Sequence, residues 1–146
     1  DIKMKIWDTA GQERFKSMSV GVIKTVDGLV LVYSIAKKET FQNLDSWINQ
    51  LNNLVDLSTK PVIIVGNKCD LASEREVTYE EGKEYATKHG FNFYETSAKT
   101  GENVKTAFDD IFEQLYKLNE KDIIGQNAKK NSISLNKKNK KKKKCC

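Results

Sequence analysis

Cysteine is scarce in this sequence: there are three, and two of them are the last two positions. They cannot form an even-numbered framework of structural bridges, which points to a reducing, cytosolic compartment. No apolar run approaches the roughly 20 residues of a membrane-spanning helix, and no signal peptide opens the chain. Proline occurs once, as Pro61, where a missing N–H costs least if a strand begins there. The single histidine, His89, sits beside Gly90 near a helix end and reads as a partner for the helix dipole rather than a catalyst. None of the eight glycines forms a pair five residues apart with Lys after the second. The loop Gly-x-x-x-x-Gly-Lys-Ser/Thr is therefore missing.

The residues present describe a globular body with a tail. At 38% hydrophobic and 31% charged over 146 residues, the composition fits one soluble domain with something appended. The net charge of +5 conceals a division, because nine lysines and no acid lie within residues 129–146. The body is mildly acidic, and only the tail is basic. We divide the chain into a domain over residues 1–124 and a lysine-rich, polar, disordered tail over 125–146.

Strand and helix signals alternate along the body. Ile2, Met4 and Ile6 alternate with Lys3 and Lys5, the period of a half-buried strand. Gly28 to Tyr33 and Val62 to Val65 are short, β-branched-rich apolar runs, expected of interior parallel strands covered on both faces. A third interior strand is expected around Phe93 and Tyr94. Phe41, Leu44, Ile48, Leu51 and Val55 form one helical stripe, with Trp47 at the edge of the packing. Thr78 and Glu81 make a capping box for a helix ending near Gly90. Val104, Ala107, Phe108, Ile111, Phe112, Leu115 and Leu118 mark a last helix. This order implies an α/β, doubly wound, mostly parallel sheet with right-handed crossovers. Its ligand belongs at the carboxyl ends of the strands.

Three blocks follow those strand ends: Trp7 to Phe15 (Trp-Asp-Thr-Ala-Gly-Gln-Glu-Arg-Phe), Asn67-Lys68-Cys69-Asp70, and Glu95-Thr96-Ser97-Ala98-Lys99. Asp70 offers two acceptor oxygens, which match the ring N–H and exocyclic amine of guanine. Adenine would aim an acceptor at the same carboxylate and be rejected. Lys68 can lay its stem along a purine face, and Asn67 can tie neighbouring loops through its amide. The Ala98 N–H can donate to the guanine oxygen, and Lys99 can cover the other side of the ring or sugar. Asp8 ends its strand as an acid that holds Mg²⁺, usually through water. Gly11 allows a backbone N–H near the terminal phosphate, and Gln12 can orient an attacking water. Cys69 is expected to be a packed thiol, and Arg14 a contact residue rather than a catalytic finger.

Taken together, the blocks resemble the Rab branch of the Ras-like small GTPases over about residues 1–118. Trp7 to Phe15 has the Rab form of the second switch segment. The resemblance implies a P-loop GTPase domain that binds GTP and GDP with Mg²⁺, hydrolyses GTP slowly and acts as a switch in vesicle traffic. It implies a nucleotide site of Asp8, Thr9, Ala10, Gly11, Gln12, Asn67, Lys68, Asp70, Ser97, Ala98 and Lys99, with Gln12 catalytic and Asp8 the metal ligand. Exchange factors, GAPs, escort protein or GDI, and effectors are the implied protein partners.

Cys145-Cys146 resembles the doubly prenylated ending of Rabs, and two lipid chains anchor where one binds marginally. The seven lysines between Lys137 and Lys144 add attraction to an anionic leaflet, up to about 1 kcal/mol each. The expected location is the cytoplasmic face of intracellular membranes, in exchange with the cytosol, and nucleic acid is not an expected partner.

Two departures stand out. Val22 to Val26 replaces a Tyr-Tyr-Arg-Gly-Ala stretch common in the family, and Ser34 replaces an Asp. With no phosphate loop or first switch in the sequence, we expect an N-terminally truncated form that by itself is unstable and unable to hold or hydrolyse GTP. The alternative is a truncated paralogue that works without nucleotide as a lipid-anchored interaction protein.

Overall fold

The computed structural model describes residues 3–8 and 16–120. Its centre is β2 (Val62–Asn67), hydrogen-bonded on one side to β1 (Leu29–Ser34) and on the other to β3 (Asn92–Thr96). Both pairings are parallel, with Ser34 opposite Asn67 and Asn67 opposite Thr96. The register therefore brings the last residues of all three strands into one row.

Helices cover both faces of this sheet, as parallel strands require. On one face Tyr33, Ile35 and Ile64 pack with Leu44 of α2 (Lys38–Asn52), Val77, and Ala86 of α3 (Tyr79–His89). On the other, Ile63 and Val65 pack with Ala107 and Ile111 of α4, which is helical over 104–120. A third cluster of Ile48, Leu51, Leu57 and Val62 closes the end where β2 begins. Leu57 belongs to a 3₁₀ turn, Leu57–Thr59, whose first N–H groups are capped when Ser58 N donates to Asp56 Oδ1 at 2.9 Å. Pro61 precedes β2, and its carbonyl accepts the Leu29 N–H at 2.9 Å.

Four features differ from the sequence pattern. Residues 3–8 are not a strand: no ladder bonds join them to the sheet, and Met4, Ile6 and Trp7 are 38%, 63% and 52% exposed. Alternation prepares one face of a strand but supplies no hydrogen-bonded neighbour, and none of the described residues offers one. β1 is not interior either, since only its β2 side is paired among the described residues and Val32 is 56% exposed. α1 (Lys16–Thr25) formed without a clear apolar stripe. Val55 lies beyond the C-cap of α2 at Asn53, and packs from the loop instead.

α3 is bounded by the chemistry at its two ends. The Glu81 N–H donates to Thr78 Oγ1 at 3.1 Å, while the Thr78 N–H donates to Glu81 Oε2 at 2.7 Å. At the other end Gly90 takes φ 74°, a left-handed conformation that favours glycine. His89 stacks on Phe91 at 5.8 Å between ring centroids. Within the helix, a Cβ at Gly82 would overlap Tyr33 Oη and lie 2.6 Å from Phe93 Cζ, so glycine allows α3 to sit this close to the sheet.

Thr78→Ala is expected to destabilise the domain by about 1 kcal/mol, measured by urea unfolding at pH 7. The hydrogen bonds from Thr78 hold the Glu81 carboxyl below its ordinary 4.5. A depressed carboxylate contributes stability that is fully present above the unfolded value and is lost as pH falls through the folded one. The difference between Glu81→Gln and the parent chain should therefore shrink below pH 4.5. A difference that stays constant from pH 7 to pH 3 would contradict the capping account.

Candidate functional site

The row of strand ends leads into two adjacent loops. From β2 the chain turns at Lys68, whose φ of 67° is left-handed for a residue with a side chain, into a 3₁₀ segment, Cys69–Glu74. Leu71 N donates to the Lys68 carbonyl at 2.9 Å and closes this turn. From β3 the chain enters the loop Ser97 to Asn103, in which Ser97 N donates to Glu102 O at 3.1 Å and Gly101 N to Ser97 O at 2.8 Å.

Three hydrogen bonds tie Asn67 and Asp70 to residues 96–98. Ser97 Oγ, on a fully buried residue, donates to Asp70 Oδ1 at 2.6 Å. Ala98 N donates to Asn67 Oδ1 at 3.1 Å, and Thr96 Oγ1 donates to the same oxygen at 3.4 Å. Ser97 Oγ also accepts the Thr100 N–H at 3.1 Å, so the hydroxyl's direction toward Asp70 is set from both sides. One carboxylate oxygen of Asp70 is thus held from within, on a residue that is itself exposed. Lys68, Ala98 and Lys99 are exposed around it.

One expectation changes in detail. The Ala98 N–H is not free for a ligand here, because Asn67 Oδ1 accepts it. A purine oxygen at this position would compete with Asn67 for the donor. Asn67 and Ala98 therefore act as one unit.

Cys69 is half-buried against the Tyr33 and Ile35 cluster, and its thiol donates to Glu102 Oε2 at 3.6 Å. Burial, with the nearby Glu102 carboxylate, pushes the thiol's pKa up, the opposite of a reactive cysteine. Asp8, the metal ligand expected from sequence, is exposed, and no hydrogen bond or ion pair among the described residues joins it to either loop. Thr9, Ala10, Gly11, Gln12, Arg14, Cys145 and Cys146, and the tail from 125 onward, lie outside the described residues.

One residue with a structural claim on the site was not singled out from sequence. Arg75 follows the Cys69–Glu74 turn and pairs with Glu95 near the end of β3. Glu95 opens the third block, but nothing in the sequence marks Arg75 as its partner.

Residues 1–117 match the Ras family. The chain belongs to that family. Within it, this Ras-family chain is of the Rab type. It is 38% identical over 134 residues to Ras-related protein Rab11A of Lotus japonicus, covering 91% of this chain and 59% of that protein. It is also 38% identical over 136 residues to Ras-related protein RABA5c of Arabidopsis thaliana, covering 93% of this chain and 63% of that protein. The chain thus spans about three fifths of the length of these curated relatives.

Proposed function

We propose that this chain recognises guanine through the two joined loops, and that the whole protein is a GTP/GDP switch that hydrolyses GTP and serves intracellular vesicle traffic. The observation that carries the reading is the Ser97 to Asp70 bond of 2.6 Å. It holds a carboxylate whose remaining acceptor capacity suits the adjacent N–H donors of guanine and repels the acceptor that adenine would present. Lys68 and Lys99 supply aliphatic stems at exposed positions beside it, suited to the two faces of a purine.

Membership of the Ras family supports the remaining assignments. Thr9, Ala10 and Gly11 are assigned to the phosphate side, and Gln12 orients the attacking water. Asp8 is the Mg²⁺ ligand. Its donor set fits: Asp8 is one exposed carboxylate, and Mg²⁺ commonly takes only one or two carboxylates with waters and phosphate oxygens. When bound, Mg²⁺ would neutralise charge on the phosphate oxygens. Cys145 and Cys146 carry prenyl groups, and with the lysine tail they hold the protein on the cytoplasmic face of an anionic membrane. Exchange factors, GAPs, escort protein or GDI, and effectors act on the switch.

The test is a chemical-shift titration of the chain with GDP, XDP and ADP. GDP should move the Ala98, Lys99 and Asp70 amides, with XDP and ADP at least tenfold weaker. Equal response to ADP and GDP would overturn the assignment.

A further inference from the structure

We propose that Arg75 and Glu95 form a positioning clamp that sets the spacing of the two base-binding loops; the inference rests on the guanine reading above. Arg75 Nη1 donates to Glu95 Oε1 at 2.5 Å and Nη2 to Glu95 Oε2 at 2.7 Å, a two-pronged pair that only a guanidinium makes. A further bond, Arg75 Nη1 to the Val77 carbonyl at 2.9 Å, fixes the guanidinium plane. The side chains are only 26% and 12% exposed, so solvent and salt screen the pair less than a surface ion pair.

Position in the fold gives the pair its role. Arg75 follows the 3₁₀ turn that bears Asp70, and Glu95 precedes Thr96 and Ser97. The Glu95 carbonyl also accepts Asn103 Nδ2 at 3.0 Å, tying the far end of the Ser97 to Asn103 loop to the same residue. Of the other bonds between the loops, Ser97 to Asp70 and the Ala98 N–H to Asn67 use groups that a guanine would itself engage, while Thr96 to Asn67 at 3.4 Å and the Cys69 thiol to Glu102 at 3.6 Å are longer single contacts between neutral donors and their acceptors. The Arg75 to Glu95 pair uses none of those groups. It can hold the loops together while the base exchanges partners with the rest.

The test compares the chain with Arg75→Lys, which keeps the charge and loses the fork, and with Arg75→Ala. Three quantities are read: GDP half-saturation by chemical shift, hydrogen exchange of the amides from Ser97 to Gly101, and the urea midpoint. Arg75→Lys should raise the GDP half-saturation concentration about fivefold and accelerate exchange in that loop about tenfold. Its urea midpoint should change little, and exchange in β2 should be unaltered. If Arg75→Lys leaves loop exchange at the parent rate, the clamp is refuted. If both variants lower the midpoint while GDP binding by the folded fraction is unchanged, the pair is merely stabilising and the proposal again fails. If the parent chain does not respond to GDP, the guanine reading fails, and loop exchange alone decides the clamp.

Discussion

Asp70→Asn is expected to lower guanine-nucleotide affinity about 100-fold or more and to reverse the preference toward xanthine nucleotide. Discrimination of this size arises when a site built to hydrogen-bond one group is faced with another of the same polarity. The direction follows from Ser97. Its hydroxyl donates to Oδ1 of residue 70 at 2.6 Å, so an amide there must keep its oxygen toward Ser97 and turn its nitrogen outward. That nitrogen is a donor. It would oppose the exocyclic amine of guanine, while the carbonyl that xanthine carries at the same ring position would accept from it. Competition between GDP and XDP for parent and variant chains is the measurement. A variant that still prefers GDP would remove Asp70 from the base-recognition role, and with it the main support for the proposed function.

Ile64→Ala should have the largest effect on stability, a loss of about 3 kcal/mol in urea unfolding. Ile64 is fully buried in the central strand and packs in the cluster that also holds Tyr33, Leu44 and Ala86. Ladder bonds on both sides restrain β2, so the surrounding groups cannot easily collapse into the vacated volume. The control is Val32→Ala on β1, where the side chain is 56% exposed and the expected loss is below about 0.5 kcal/mol. Equal losses at the two positions would mean that the sheet is not covered on both faces as described.

The contrast between these two apolar strands also marks how far the sequence can be read. Val62 to Val65 and Leu29 to Tyr33 look alike as apolar runs, and both are strands. Only one of them is buried along its length. Hydrophobicity records what a segment can bury, while the number of neighbours it acquires depends on elements remote in the chain. Ile2 to Ile6 makes the same point more strongly, because its alternation suits a strand and residues 3–8 pair with nothing among the described residues. The capping box at Thr78 and Glu81 was legible because both its partners lie three residues apart.

For the candidate site, residue chemistry was local and geometry was not. That Asp70 offers two adjacent acceptor oxygens, that Asn67 can tie loops and that Cys69 is packed all follow from side-chain type in short blocks. Sequence alone also determined the order of most strands and helices, and hence that the second and third blocks leave the sheet at carboxyl ends. Tertiary structure decided which groups meet. Ser97 finds Asp70 across 27 residues, Ala98 finds Asn67 across 31, and Arg75 finds Glu95 across 20. Periodicity and capping act over three or four residues, so they carry no information about such pairs. The parallel register that aligns Ser34, Asn67 and Thr96 brings the two loops side by side, and it exists only once the ladder has formed.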